Sequence, residues 1–196
     1  MVALQEPQPR MTPEQFLDWE KTQELRYEYV NGTAIAMAGG TIAHNDLAVS
    51  LLLLLAPHVR SSGCKINVSD VKVQIRRRYR YPDLVVTCDD RDKMATTLFR
   101  YPKVIVEVLS PGTESTDRGR KLREYQSIET LQEYVLVSPN EVIIEVYRRN
   151  LDGTWQYIDY EAGSQFRLES LGFGCAIDEI YESITLDELM EEPFNL

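Results

Sequence analysis

The chain has 196 residues and a mass of 22.6 kDa, enough for one domain with a full hydrophobic core. Hydrophobic residues make up 43% and charged residues 27%, which excludes a disordered or fibrous chain. A net charge of −10 excludes binding of nucleic acid by bulk charge, but the excess is local: residues 150–196 hold 11 acidic residues and one basic, Arg167, whereas the first 149 hold 20 of each.

Residues 1–10 are expected to be a disordered lead-in to a single domain over 11–196, with an acidic portion at 150–196. Thr12-Pro13-Glu14-Gln15 is a helix start, with Thr as N-cap, Pro at the first helical position and Gln three residues after the cap. Arg26–Val30 and Thr33–Met37 flank Asn31-Gly32, a two-residue hairpin turn. Ile42–Arg60 predicts a long helix, with Leu47, Leu51, Leu54 and Leu55 at helical spacing and Pro57 expected to end or kink it. Its apolar run, Leu47–Ala56, is too short to cross a bilayer, so no membrane association is expected. The N-terminus has no signal-peptide pattern. Cys64, Cys88 and Cys175 fit neither zinc spacing nor a disulfide framework, which makes a reducing cytoplasm the expected location.

Alternating apolar residues from Ile66 to Ile75 predict strands with a break near Asp70, and a third strand is expected from Tyr81 to Thr87. Asp89–Tyr101 reads as irregular. Lys103–Leu109 is the strongest strand, ended by Ser110-Pro111-Gly112. A helix follows over Thr116–Ser127, then strands at Glu133–Val137 and Val142–Tyr147. Trp155–Tyr160 and Phe166–Leu168 are expected as further hairpin strands. Thr185-Leu186-Asp187-Glu188 reads as a capping box opening a C-terminal helix. This order of elements predicts an α/β fold with a mixed (α+β) sheet.

Three ionisable residues stand out against this apolar pattern. Asp83 follows Pro82, which marks a strand start, an edge or a bulge. Glu107 shares a strand face with Ile105 and Leu109. Lys121 lies on the next helix, with Asp117 and Tyr125 on the same face. Each has an ordinary alternative: a turn or cap for Asp83, an arginine pair for Glu107, a surface pair with Asp117 for Lys121. Together they form a set suited to metal-assisted phosphodiester hydrolysis. Two hard carboxylates hold Mg²⁺ or Mn²⁺, and a lysine stabilises charge or orients water. An isolated carboxylate in a sheet core costs several kcal/mol, roughly, unless a cation, proton or donor offsets it. Two basic clusters, Arg76-Arg77-Arg78-Tyr79-Arg80 and Arg118 with Arg120, Lys121 and Arg123, read equally as phosphate contacts or as solvated surface.

The motifs Tyr27-Glu28-Tyr29-Val30-Asn31-Gly32, Ala43-His44-Asn45, Tyr81-Pro82-Asp83-Leu84, Val106-Glu107-Val108-Leu109-Ser110-Pro111, Lys121-Leu122-Arg123-Glu124-Tyr125 and Glu133-Tyr134-Val135-Leu136-Val137 resemble the Uma-two endonuclease family. This is a restriction-endonuclease-like group of the PD-(D/E)XK nuclease superfamily, expanded in cyanobacteria. The resemblance covers roughly 11–149. It implies a restriction endonuclease-like αβββαβ core with additional β-hairpins, Asp83 and Glu107 as metal ligands, and Lys121 as the catalytic lysine. Glu28 and His44 match further family positions and, with Tyr125, are accessory candidates. In the superfamily the lysine lies two residues after the strand acid, where this chain has Leu109; the resemblance places it on the following helix.

The expected activity is Mg²⁺- or Mn²⁺-dependent cleavage of DNA phosphodiester bonds, with DNA as partner and a homodimer as the assembly. The alternative is a catalytically inactive interaction or regulatory protein on the same scaffold. A third reading has the acidic C-terminal residues 176–196 restraining the basic clusters.

Overall fold

The computed structural model describes residues 10–37 and 39–187. The expected lead-in, apart from Arg10, and all but the first residues of the helix expected from the Thr185 capping box lie outside these residues.

Helix α1 (Pro13–Glu20) starts as its sequence dictates: the Thr12 hydroxyl accepts from Gln15 N, and the Gln15 side chain returns the bond to Thr12 N. Such a cap stabilises a helix by about 1 kcal/mol. The hairpin β1 (Tyr27–Val30) and β2 (Thr33–Ala36) turns at Asn31 and Gly32, with φ of 52° and 92°. Helix α2 (Ile42–Ser61) is capped by Thr41. Pro57 neither ends nor breaks it. The carbonyl that Pro57 leaves without a donor is that of Leu53, on the exposed outer face where water can satisfy it.

The apolar character of α2 extends beyond the run from Leu47 to Ala56. At 20 residues, α2 is long and apolar enough to cross a membrane by length and composition. In this fold its Leu47, Leu51, Leu55 and Val59 pack into the core instead. Each fully buried side chain of this kind contributes about 1.5–3 kcal/mol.

The remaining elements are β3 (Lys65–Val68), β4 (Lys72–Ile75), β5 (Arg78–Arg80), β6 (Leu84–Thr87), β7 (Leu98–Phe99) and β8 (Val104–Val108). A bent helix follows, formed by α3 (Glu114–Thr116), a π-helical turn (Asp117–Lys121) and α4 (Leu122–Gln126). After it come β9 (Glu133–Val137), β10 (Ile143–Arg149), β11 (Trp155–Glu161), β12 (Gln165–Leu168), β13 (Phe173–Ala176) and α5 (Ile177–Ile180).

A six-stranded sheet has the order β11-β10-β9-β8-β6-β3, and a five-stranded sheet the order β2-β1-β5-β4-β7; β12 and β13 form a separate pair. The path α2, β3, β6, β8, bent helix, β9 supplies the expected αβββαβ core. β3, β6 and β8 are antiparallel neighbours, and β9 returns parallel to β8 after the helical crossover. The β4–β5 hairpin leaves this sheet to join β1. The six-stranded sheet buries Val104, Val106 and Val108 against α2, and Ile105 and Leu109 toward Tyr125, Leu131 and β4. An aromatic cluster of Phe16, Tyr29 and Tyr79 holds α1 on the smaller sheet.

The segments Trp155–Glu161 and Gln165–Leu168 are hairpin strands as expected, paired with β10 and β13. Three expectations change. The strand expected from Tyr81 begins at Leu84, because Tyr81-Pro82-Asp83 carries the chain from one sheet to the other. Residues 177–181 are no removable tail: Ile177, Ile180 and Tyr181 are core residues, and the Tyr181 hydroxyl donates to the Ser138 and Ile143 carbonyls. Finally, Cys64 and Cys88 form a disulfide. The β3–β6 register, with Lys65 opposite Thr87, brings the two cysteines face to face. Spacing alone could not reveal this pairing.

Candidate functional site

The site forms where the chain crosses between sheets. In the β6–β8 ladder Leu84 faces Val106 and Val85 faces Ile105. Continuing this register by one residue sets Asp83 opposite Glu107, and residues opposite each other share a sheet face. Pro82 has no N–H, so the ladder stops there. Asp83 ends it with its side chain: Oδ2 accepts from Val108 N at 2.7 Å.

Lys121 comes from the bent helix. Residues Asp117–Lys121 form a π-helical turn, and such turns recur at functional sites because the extra residue re-aims side chains. Lys121 Nζ lies 2.9 Å from Asp117 Oδ1, 3.0 Å from Glu107 Oε1 and 3.6 Å from Glu28 Oε1. The Tyr125 hydroxyl donates to the same Glu107 Oε1 at 2.8 Å. Glu28 reaches in from β1 and is held by Arg80 Nη1 at 2.5 Å. His44, in the first turn of α2, places Nε2 3.3 Å from Asp83 Oδ2. Among the described residues no hydrogen bond is made to Oε2 of Glu107 or Oδ1 of Asp83.

Glu107 and Lys121 are buried, at 4% and 6% exposed, whereas Asp83, His44 and Glu28 are half-buried. Burial pushes the Glu107 carboxyl up to about 8; Lys121 works against this, while Asp117, Asp83 and Glu28 raise it further. Burial disfavours the Lys121 ammonium, yet the fields of Glu107, Glu28 and Asp117 outweigh it and hold the proton on more tightly than usual. For His44, burial is outweighed by its bond to Asp83, the Asp83 charge and the Val108 carbonyl, so its affinity for a proton is raised. Burial, and then Glu107, keep Tyr125 a phenol.

All six candidates, Asp83, Glu107, Lys121, Glu28, His44 and Tyr125, belong to this one cluster. Two ordinary alternatives fail on geometry. Glu107 is paired with a lysine rather than an arginine. The Asp117–Lys121 pair is present but buried, not on the surface. Glu28, the accessory candidate on β1, turns toward Arg80 and Lys121. His58 lies elsewhere, 2.7 Å from the Leu171 carbonyl. Two residues of the cluster were not singled out in the sequence. Asp117 had a visible signal, its i,i+4 spacing to Lys121. Arg80 had none: within a run of arginines it alone is buried, bridging Glu28 and Glu124.

Among the described residues no group of three His, Cys, Asp or Glu side chains is set to hold a metal ion. The set is instead two opposed carboxylates, each with one oxygen free of protein hydrogen bonds. That fits Mg²⁺ or Mn²⁺ in kind, since Mg²⁺ keeps several waters and takes one or two carboxylates.

Residues 13–178 match the Uma2 family, described as "Putative restriction endonuclease". Two uncharacterized proteins of Synechocystis sp. (strain ATCC 27184 / PCC 6803 / Kazusa) are similar. One is 42% identical over 180 residues, 91% of this chain and 95% of the relative. The other is 31% identical over 152 residues, 74% of this chain and 84% of the relative. Among solved structures, a "putative nuclease belonging to DUF820" from Anabaena variabilis ATCC 29413 aligns with a TM-score of 0.71 at 17% identity, covering 87% of this chain and 97% of that one. That likeness is one of fold.

Proposed function

Because the chain belongs to the Uma2 restriction-endonuclease family, we propose that it is a divalent-cation-dependent endonuclease hydrolysing DNA phosphodiester bonds at the Asp83–Glu107–Lys121 cluster. What carries this reading is the opposition of Asp83 and Glu107 across two neighbouring strands, beside a buried ammonium. Asp83 and Glu107 would hold Mg²⁺ or Mn²⁺, which supplies Lewis-acid polarisation of the phosphate and acidification of an attacking water.

The protein's own groups do the rest. Lys121 keeps its proton and therefore acts as a fixed positive charge toward a phosphate, not as a base. Tyr125 pins Oε1 of Glu107, so Oε2 is the oxygen that would be left for a cation. His44 and Val108 N fix Asp83 through Oδ2 and leave Oδ1. Arg80 anchors Glu28 at the edge of the cluster.

A second reading is a non-catalytic protein on the nuclease scaffold. Its support is that Lys121 and His44 already sit on the two acids. Plasmid nicking with Mg²⁺, Mn²⁺ and EDTA separates the two. Relaxed circles should form only with metal, and Asp83→Ala should lower the rate by roughly 10²-fold or more. Nicking by Asp83→Ala equal to wild type would remove the proposal. Calorimetry showing no Mn²⁺ binding at millimolar concentration would favour the second reading.

A further inference from the structure

The two basic clusters, some forty residues apart in sequence, converge in the fold. One groove is lined by Arg76 and Arg78 of the β4–β5 hairpin, by Arg120 and Arg123 of the bent helix, and by Asn31, Glu124 and Ser127. A second groove shares Asn31, Arg76 and Arg78 and adds Arg10 and Arg77, with no acidic residue in its lining. The geometry points to a phosphate track: these six arginines bind the sugar–phosphate backbone of a nucleic acid and lead it toward Glu28 and the carboxylate pair. What the track delivers rests on the nuclease reading above.

Three observations support the track. The first is ion pairing. Arg26, Arg80, Arg91, Arg118 and Arg148 are each paired with a carboxylate. Arg76, Arg77, Arg120 and Arg123 are exposed and, like Arg60, Arg100, Arg149 and Arg167 elsewhere, form no ion pair among the described residues; what sets them apart is that they lie together. Within the groove linings only Arg78 is paired, 3.3 Å from Glu124. Such crowding of like charge is intrinsically unfavourable and stands out on a chain of net charge −10.

The second is the backbone. The neighbouring hairpin turns on Asn31-Gly32, residues at ease with positive φ. The β4–β5 hairpin turns instead on Arg76-Arg77, with Arg76 held at a φ of 53°. A left-handed arginine is strained where asparagine or glycine would not be. Turn stability does not account for the charge there.

The third is continuity with the cluster. Glu124, in the lining of the first groove, is bound by both Arg78 and Arg80. Arg80 binds Glu28, and Glu28 faces Lys121. The arginines thus begin four ion pairs from the candidate ammonium. Guanidinium forks match phosphate and carboxylate alike. The adjoining carboxylate pair, suited to a cation that shields phosphate, selects the nucleic acid over an acidic peptide.

The test uses the full chain, a fluorescein-labelled 20-base-pair DNA and anisotropy in EDTA from 50 to 200 mM salt. Arg120→Glu/Arg123→Glu should weaken binding about tenfold or more at 50 mM and flatten the log–log salt slope by about two. Arg60→Glu, an exposed arginine at the far end of α2, should bind as wild type. Arg76→Gly should lose affinity several-fold while melting at the same or a higher temperature, an outcome no folding defect produces. No wild-type binding at 50 mM, double-variant affinity within twofold of wild type, or competition by polyglutamate equal to that of DNA would each overturn the track. Nicking separates it from the parent reading. Arginine-dependent DNA binding without metal-dependent cleavage sinks the nuclease and leaves the track standing. Equal DNA binding and cleavage by wild type and double variant sinks the track alone.

Discussion

Neighbouring strands β8 and β9 each bury a glutamate, and the two are treated in opposite ways. Glu133 is fully enclosed and fully bonded. Its Oε1 accepts from Arg148 Nε at 2.8 Å and Glu169 N at 3.1 Å; its Oε2 accepts from Ser170 N at 3.1 Å and the Ser170 hydroxyl at 2.5 Å. Glu107 takes Lys121 and Tyr125 on one oxygen alone, and burial drives its carboxyl up to about 8. A carboxylate whose every lone pair is used serves the fold. One held against its preferred ionisation, with an oxygen to spare, is a candidate for chemistry.

The largest expected effects would break this contrast or fix it. Glu107→Gln should lower metal-dependent nicking by roughly 10²- to 10³-fold. Its urea midpoint near neutral pH should be unchanged or higher, because the folded carboxyl must take up a proton that the unfolded one has lost, and the amide is spared that cost. Glu133→Ala should do the reverse. Leaving Arg148 only the exposed Glu169, and stripping the Glu169 and Ser170 N–H groups of their acceptor, should cost about 3 kcal/mol of stability, while cleavage by the folded fraction continues. If both variants lose stability alike and Glu107→Gln still cleaves, the two glutamates do not differ in role.

The pH dependence sharpens the same comparison. The Glu107 carboxyl is raised above the ordinary 4.5, so the folded chain holds this proton more tightly than the unfolded chain does. Its contribution to stability is therefore complete below pH 4.5 and is lost as pH rises through about 8. Metal affinity runs the other way, since a ligating carboxylate must first lose its proton. Mn²⁺ affinity measured by calorimetry should rise by about tenfold per pH unit up to pH 8 and level off above it. Glu107→Gln should abolish that slope. A slope that persists in the variant would place the titrating ligand elsewhere.

Much of this was legible in the sequence where the signal is local. The Thr12 cap, the Asn31-Gly32 turn and the alternation of Val104–Leu109 are written within a few residues of where they act, and each formed as read. Glu107 is visible in the same way, as a polar residue in an apolar strand, whereas Asp83 precedes β6 and only the register of β6 on β8 sets it opposite Glu107. What escaped depends on pairing across the chain. Arg80 becomes buried only because β5 lies beside β1, and Cys64 meets Cys88 only through the register of β3 on β6. The switch between sheets at Tyr81-Pro82-Asp83 likewise has only the proline as its trace. Asp117 fell between these classes. Its spacing to Lys121 was plain, but spacing does not tell a buried pair from a surface one.

The smallest expected effect tests how tightly the cluster is held from its far side. Gly40 packs against the His44 ring: a Cβ at that position would lie 2.8 Å from Nδ1 and 2.9 Å from Cγ. His44 cannot withdraw along the helix, because its N–H is fixed by the Thr41 cap at 3.1 Å. In Gly40→Ala the ring must therefore rotate, and its 3.3 Å contact with Asp83 is the interaction it gives up. Asp83 keeps its bond from Val108 N and stays at the site, so cleavage should fall only roughly tenfold, as when an outer partner of a ligand is lost. The sharper readout is the His44 titration by NMR. Without Asp83 to oppose it, burial should pull the imidazole's proton affinity down from its raised value. An unchanged His44 titration in Gly40→Ala would mean that the glycine does not set the ring, and that α2 contributes to the cluster by some other contact.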